Sequence, residues 1–297
     1  MSALAEKRVE AAPAADRELP VRTIQPWRPG VVPRLGELWW YKALFPYLAK
    51  EMIVRRYRRT YLSWIWIPLR PAINIAAGGM VFGGFLGVAS GDRPYIIFFA
   101  FATAGWIMFE RCLNWGTRAV RMASSFSGGA HFPRHLTVAA AAGPAFVDFL
   151  LYVGVALIAT IYFLITRGVN YLAPPEQMVV AAFGLLLLTV FGLCVGMVTG
   201  PIAAITKEVR YAIAYIIQFW YFITPIVYPI SGIPEKYRPI AELNPITAPV
   251  EMVKYGFLST APPGTKSLIS CAVGMVVVIV GGLHMFSRFE RAAVDRL

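Results

Sequence analysis

Long apolar runs with almost no charge are the feature that most limits what this chain can fold into. A helix rises about 1.5 Å per residue, so about 20 apolar residues cross a hydrocarbon core of about 30 Å. The chain holds several such runs, and only 15% of its residues are charged, against roughly 25% in soluble domains. We therefore expect an all-α integral membrane protein. Its six predicted spans are residues 64–88, 94–117, 137–166, 177–205, 211–229 and 266–287.

The net charge of +12 is distributed as a membrane topology requires. An even number of spans places both termini on one side, which then holds twenty Lys and Arg residues against six on the other. Cytoplasmic loops carry the excess of Lys and Arg, so we expect both termini in the cytoplasm. Because these charges lie between and before the apolar runs, we expect no nucleic acid partner.

The chain divides into three predicted regions. Residues 1–36 are expected to be a disordered cytoplasmic tail. Residues 37–63 combine interfacial aromatics with an apolar face and a basic face, which indicates an amphipathic helix in the membrane surface. A stop-transfer charge cluster explains that pattern equally well. Residues 64–297 form the transmembrane domain, and within it residues 230–265 predict a re-entrant pair of short helices between spans five and six.

Glycines at four-residue spacing form two small-residue faces that permit close helix packing. Packing within one chain is the default interpretation, and packing between two copies stays open. The two faces are Gly79, Gly83 and Gly87, and Gly192, Gly196 and Gly200.

The residues that an enzyme or a nucleotide site requires do not come together in this sequence. His131 and His135 have a spacing that can hold a metal, but no Glu or Cys completes the set nearby, so no metal is expected. The string at 264–267 lacks the glycines of a phosphate-binding loop. We expect no catalytic residue, no cofactor bound by this chain and no ATP hydrolysis by it.

A few ionisable residues lie inside the predicted spans. Glu110, Arg111 and Asp148 are the main ones, and Asp148 needs a partner or water at its depth. They keep a secondary transporter open as an interpretation, although no inverted repeat supports it.

Four strings occur in a characteristic order over residues 50–258. They are an Arg- and Tyr-rich run at 56–66, Gly-Trp-Ile-Met-Phe-Glu at 105–110, Phe-Pro-Arg at 132–134, and a long run at 207–245 that ends in Leu-Asn-Pro. Together they resemble the ABC-2 family of export permeases, in particular the branch that moves O-antigen, capsule, teichoic acid and related glycans. Residues 125–131 and His135 depart from the family's usual pattern, which leaves the identity of the partner ATPase open.

The resemblance implies a permease that works as a pair of copies with two copies of a separate ABC ATPase, which holds the ATP and Mg. The cargo that it implies is a glycan linked to polyprenyl pyrophosphate at the inner leaflet of the cytoplasmic membrane. The resemblance also places the ATPase contact in the loop 119–136. An ABC-2 permease for a small molecule or lipid remains the alternative.

Four sets of side chains, the coupling residues among them, are predicted to serve transport. Sugars stack on aromatic rings, which favours an aromatic channel, and arginine forks suit a pyrophosphate. Binding anionic lipid headgroups explains the same arginines equally well. The channel candidates are Tyr61, Trp64, Trp66, Trp106, Phe109, Phe219, Trp220 and Tyr221; the pyrophosphate or headgroup candidates are Arg55, Arg56, Arg58 and Arg59; the coupling candidates are Phe132, Pro133 and Arg134; and the outer-gate candidates are Tyr228, Asn244, Pro245 and Glu251.

Overall fold

The computed structural model describes residues 41–57, 63–126, 134–206 and 208–294, and these are mostly helical. A π-helical turn, Gly79–Phe85, continues the second helix. The α-helices are α1 (Leu44–Tyr57), α2 (Ser63–Gly78), α3 (Tyr95–Phe126), α4 (Arg134–Ala140), α5 (Ala142–Arg167), α6 (Met178–Ile205), α7 (Glu208–Ile223), α8 (Arg238–Leu243), α9 (Thr247–Leu258) and α10 (Thr265–Val294).

Within the described ranges, five helical segments are long and apolar enough to cross a membrane. They match the first four predicted spans and the sixth to within a few residues, so an all-helical, multi-pass membrane protein is confirmed. The segments are Ile65–Phe85, Tyr95–Ala119, His135–Arg167, Pro175–Ile205 and Thr265–Arg288.

The fifth predicted span, 211–229, differs from the helix that the structure shows. The helix α7 has 16 residues, which gives it a length of about 24 Å, short of a hydrocarbon core of about 30 Å. It ends at Ile223 because Pro225 follows closely, and a residue before proline is disfavoured in the helical conformation. The prediction of six spans is therefore confirmed for five.

The helix α3 lies at the centre of the protomer. In its apolar stretch 83% of the residues are buried inside the protein, whereas the corresponding value is 11% for α2 and for α10. It packs along α5 and along α6, and Phe101 and Trp106 are among its fully buried side chains. The outer helices therefore present most of their surface to lipid or to another chain.

Glycines bring α3 and α6 into close contact. A Cβ atom on Gly196 would lie 2.9 Å from the Cα atom of Gly116, and one on Gly192 would lie 2.7 Å from the backbone oxygen of Phe109. At the same crossing the hydroxyls of Thr117 and Thr199 are 2.6 Å apart and share a hydrogen bond. The predicted small-residue face on α6 thus packs within one chain.

The first described helix, α1, lies inside the range predicted for the amphipathic helix. Leu48, Ala49 and Met52 are buried where α1 packs against α4 and α5. The rest of that range is described only in part, and residues 1–36 lie outside the described residues. The three-region division, and a position of α1 in the membrane surface, remain predictions.

Two short helices, α8 and α9, occur where the re-entrant pair is predicted, and the chain breaks between them at Asn244. This side chain is buried and holds three segments together. Its Oδ1 accepts a hydrogen bond from the indole nitrogen of Trp220 at 2.9 Å, and its Nδ2 donates to the hydroxyl of Thr224 at 2.8 Å. The backbone nitrogen of Ile246 also donates to Oδ1, at 3.2 Å. Whether the pair dips into the membrane remains a prediction.

We expect Gly196→Ala to destabilise the protein, because its Cβ atom would lie 2.9 Å from the backbone of Gly116 and the two helices would have to separate. Overpacking of this kind costs about 1–3 kcal/mol. Gly281→Ala is the matched control, since its Cβ would meet nothing within 4 Å and alanine is favoured in a helix. Thermal unfolding in detergent measures both, and equal midpoints for the two variants would contradict the packing argument.

We expect Asn244→Ala to lower the unfolding free energy, because it leaves the indole N–H of Trp220 and the backbone N–H of Ile246 without an acceptor. Each buried donor left unpaired costs about 1–3 kcal/mol. Trp220→Phe removes the indole N–H that Asn244→Ala leaves without an acceptor. The double variant should therefore lose less unfolding free energy than the two single variants lose together. Strict additivity of the losses in a thermal unfolding series would argue against this hydrogen bond.

Candidate functional site: a cleft between α2 and α7

A cleft of ≈ 520 Å³ opens between α2 and α7 over one face of α3. Aromatic rings and polar side chains together line this cleft. The rings belong to Phe82, Phe99, Trp106, Tyr221 and Phe222, and the polar side chains are Asn74, Thr103, Glu110 and Gln218.

Helical periodicity explains how these side chains converge. On α3 the lining residues Phe99, Thr103, Trp106 and Glu110 follow one another at spacings of four, three and four, so they share one face. The rings of Trp106 and Tyr221 meet edge to face, with centroids 5.5 Å apart, which fixes α7 against α3. The cleft can therefore stack a flat ligand on fixed rings and offer it hydrogen bonds.

Trp106 and Tyr221 are the predicted channel residues that the structure brings to this cleft. Trp66 on α2 and Phe219 on α7 lie outside its lining and are exposed on the protomer surface. Tyr61 lies outside the described residues, as does the side chain of Trp64.

The rings of Phe109 and Trp220 have a different environment. Phe109 is fully buried, and its ring packs against Phe191 and edge to face on Trp220. Trp220 is held by its hydrogen bond to Asn244. Since no face of Phe109 is open, this residue serves packing in the protomer, and we leave it out of the channel set proposed below.

The predicted pyrophosphate arginines divide into two groups. Arg55 forms an ion pair with Glu51 on the surface of α1, with Nε and Oε1 2.9 Å apart. Arg56 instead points into the protein, where its Nη1 lies 2.5 Å from Oδ2 of Asp148. Arg58 and Arg59 lie outside the described residues.

Asp148 joins three helices through its carboxylate, and its side chain is only 7% exposed. Besides Arg56 of α1, Arg111 of α3 approaches it, with Nε and Oδ2 3.0 Å apart. Arg111 also lies 3.9 Å from Glu110. The sequence expectation that Asp148 needs a partner is confirmed. The sequence indicated this need because Asp148 is a charged residue inside an apolar run, but it did not identify Arg56 as the partner.

The outer-gate candidates lie around α8 and α9. The hydroxyl of Tyr228 donates to the backbone oxygen of Phe222 at 2.7 Å. Pro245 faces Gly274 of α10, where a Cβ atom would lie 2.5 Å from the proline ring. These contacts, with those of Asn244, tie the end of α7 to α8, α9 and α10.

Two buried charges lie on α9. Lys254 donates from Nζ to the backbone oxygen of Pro225 at 2.9 Å, while Oε2 of Glu251 is buried and has no hydrogen-bond partner. Burial raises the pKa of Glu251 to about 7, and the nearby Lys254 opposes that shift. The hydrogen bond of Lys254 therefore secures the turn after α7 from inside the protein.

The coupling candidates fall at the edge of the described chain. Phe132 and Pro133 lie outside it, and Arg134 begins α4 while its side chain lies outside the described part. Their contact with an ATPase remains a prediction.

Comparison with known proteins gives relatives over most of this chain. The O-antigen export system permease protein RfbA of Myxococcus xanthus is 21% identical over 261 residues, which cover 86% of this chain and 96% of the relative. The inner membrane transport permease YadH of Escherichia coli K12 is 25% identical over 232 residues, covering 74% of this chain and 84% of the relative.

The family comparison covers α1 to α9 in full. The ABC-2 type transporter profile matches residues 43–258, well over half of the chain. That range includes the ion pairs of Asp148, the whole lining of the cleft and the outer segment. This chain therefore belongs to the ABC-2 type transporter family, the membrane component of a transport system.

Proposed function

We propose that this chain is the permease subunit of an ATP-driven exporter that moves polyprenyl-pyrophosphate-linked polysaccharide across the cytoplasmic membrane. The observation that carries the proposal is the cleft between α2 and α7, whose rings and uncharged polar groups suit the faces and hydroxyls of sugars. The likeness to the O-antigen export permease of M. xanthus supports the polysaccharide class.

An exposed aromatic stripe beside the cleft supports a channel shared by two copies. Tyr211, Tyr215, Phe219 and Phe222 follow one another along α7 at helical spacing, and each is more than half exposed. The cleft itself is only partly enclosed by one protomer. A second copy facing α2 and α7 would close the cleft into a channel and cover the stripe, so we propose a homodimer.

Sliding of a long chain requires many weak contacts in place of a few strong ones. Asn74, Thr103 and Gln218 are uncharged, and each offers a hydrogen bond that water or the next sugar can replace. Tyr221 offers its ring to the cleft and is held in position by its contact with Trp106, which is itself almost fully buried. This lining gives a glycan many replaceable contacts, beside the carboxylate of Glu110.

ATP hydrolysis belongs to a partner in this proposal. Two copies of a separate ABC ATPase hold the ATP and Mg, and they contact the loop predicted at 119–136 of each permease. Of this range the structure describes the end of α3, to Phe126, and the start of α4, from Arg134. The excess of Lys and Arg on the side of the termini supports a cytoplasmic position for that loop. The helix α4 follows the loop directly and packs on α1, which gives the ATPase a short mechanical path to the ion pairs of Asp148.

A small molecule or lipid is the second candidate cargo. The volume of ≈ 520 Å³ lies within the range of small-molecule pockets, about 300–1,000 Å³. The E. coli relative is described only as a transport permease, which is compatible with either cargo. The two candidates differ in whether the cleft must accept a polymer.

We expect Ala77→Trp to abolish polysaccharide export, because Ala77 lines the cleft and an indole there fills the space that a sugar chain needs. Ala76→Trp is the matched control, since Ala76 is the exposed neighbour on α2 and does not line the cleft. Both variants are expressed in a strain deleted for this permease, and surface polysaccharide is measured by immunoblot. Normal export by Ala77→Trp, at a wild-type level of protein in the membrane, would count against a polymer in this cleft.

We expect an ABC ATPase encoded beside this permease to copurify with it in equal amount through a tag on this chain. Phe132→Ala and Arg134→Ala should each lower ATP hydrolysis by the purified complex in lipid, because the resemblance places both residues at the ATPase contact. Lys236→Ala is the control, since Lys236 is exposed in the loop before α8, on the opposite side by the predicted topology. A permease that purifies without any ATPase would rule out the proposed function.

A further inference from the structure

A groove of ≈ 590 Å³ lies between α8 and the first turns of α10, and it shares no lining residue with the cleft. Most of its lining is apolar. One basic and one acidic side chain, Lys266 and Glu242, also belong to the lining and lie where α10 begins. The apolar and small residues of the lining are Pro239, Leu243, Pro245, Ile269, Val273 and Gly274.

Two contacts hold the walls of this groove in place. The hydroxyl of Ser270 on α10 donates a hydrogen bond to the backbone oxygen of Leu243 at the end of α8. One turn further along α10, Pro245 lies so close to Gly274 that a Cβ atom there would be 2.5 Å from the proline ring. These contacts fix the distance between the two walls, so the space is formed before any ligand arrives.

The groove follows the axis of a helix that is long and apolar enough to cross a membrane. Its lining residues on α10 occur at spacings of three, one, three and one, so they share one face. From Lys266 to Gly274 the helix rises about 12 Å, close to one leaflet's share of a hydrocarbon core of about 30 Å. Lys266 therefore lies at the membrane surface, while Val273 and Gly274 lie at hydrocarbon depth.

The apolar wall of the groove is exposed on the protomer. Leu243 is 73% exposed, Ile269 60% and Val273 59%. In a bilayer, hydrocarbon chains cover surfaces of this kind, and a groove about one leaflet long fits a single acyl chain that lies along α10. A sugar or another polar ligand would find few hydrogen-bonding partners there, because the hydroxyl of Ser270 is already used.

Lys266 and Glu242 give the surface end of the groove one charge of each sign. Nζ of Lys266 and Oε2 of Glu242 are 3.6 Å apart, and the side chain of Lys266 is 82% exposed. An exposed pair at this distance contributes little to folding, so both groups can exchange each other for a ligand. A headgroup with a phosphate and a primary ammonium matches the pair, because lysine donates hydrogen bonds and a carboxylate accepts them.

We propose that this groove binds one phospholipid with a zwitterionic headgroup of the phosphatidylethanolamine type. Its acyl chain lies along Ile269 and Val273, its phosphate meets Lys266, and its ammonium meets Glu242. By the predicted topology α10 begins on the outer side, so the lipid belongs to the outer leaflet. The bound lipid braces α8 against α10. The inference goes beyond the proposed function and depends on neither the cargo nor the ATPase.

The test counts the lipids bound to the purified full chain in detergent by native mass spectrometry, with dioleoyl phosphatidylethanolamine as the probe. Two lipids with the same acyl chains are compared with it. Dioleoyl phosphatidylglycerol has no ammonium, and dioleoyl phosphatidylcholine has a quaternary ammonium that cannot donate a hydrogen bond. We expect phosphatidylethanolamine to bind about fivefold more tightly than either, as the net gain of one hydrogen bond gives.

One pair of variants tests the position of the acyl chain. Val273→Trp should remove one bound lipid, because an indole at this position fills the groove. Val276→Trp is the matched control, since Val276 is 62% exposed on the same helix and does not line the groove. We expect this control to keep the wild-type number of lipids.

A second set of variants tests the headgroup without altering the packed part of the groove. Lys266→Gln should weaken phosphatidylethanolamine binding about fivefold, because it removes the donor to the phosphate. Glu242→Gln should abolish the preference over phosphatidylglycerol, because no carboxylate is left to accept from the ammonium. Lys50→Gln, at an exposed position on α1, is the control for the loss of one positive charge and should change nothing.

Several results would overturn the inference. One is a wild-type lipid count in Val273→Trp, and another is the same loss in Val276→Trp. Equal binding of the three lipids by the wild-type chain would reject recognition of the headgroup, as would unchanged binding by Lys266→Gln. Conversion of a dimer to a monomer by Val273→Trp without loss of lipid would assign the groove to contact between copies. Failure of the proposed function appears elsewhere, as normal surface polysaccharide in the permease deletion strain, and no lipid count affects that result.

Discussion

Close contact between α3 and α6 is the interaction on which the rest of the structure depends. Gly116, Gly192 and Gly196 let the two backbones approach until a single added Cβ atom would collide with the opposite helix. In a membrane, where lipid tails compete with apolar side chains, this kind of packing supplies much of the attraction between helices. It holds α3 in the centre, and α5 and α9 then pack around that helix.

The central position of α3 lets it carry three kinds of chemistry at once. Phe101 and Phe109 fill the protomer core, Thr103 and Trp106 face the cleft, and Arg111 meets the buried carboxylate of Asp148. A peripheral helix, which turns most of its surface outward, could not make all three kinds of contact. The cost of placing charge there is offset by pairing, since an ion inside the membrane is expensive unless it has a partner.

In the proposed function a second copy completes the path beside α2 and α7. The aromatic and amide side chains line the cleft, and the segment held by Asn244 and Lys254 lies at the end of α7. The ion pair between Arg56 and Asp148 ties α5 to α1, which in turn packs on α4.

The sequence by itself determined the membrane class, five of the spans and the presence of two short helices within residues 230–265. Each of these depends on properties local to the chain: apolar length, helical period, and the backbone limits of proline. The motifs over residues 50–258 resemble the ABC-2 family, and this agrees with the ABC-2 type transporter profile, which matches residues 43–258.

Only the tertiary structure decided which side chains meet. It placed Phe109 in the core and Trp106 beside the cleft, although both are aromatic residues on one helix, because Phe109 packs against Phe191 and Trp220 whereas Trp106 meets Tyr221. It also brought Arg56 to Asp148 across 92 residues of sequence. A buried charge in a sequence shows that some partner must exist, but the packing of α1 against α5 selects which one, because that choice depends on contacts between distant segments.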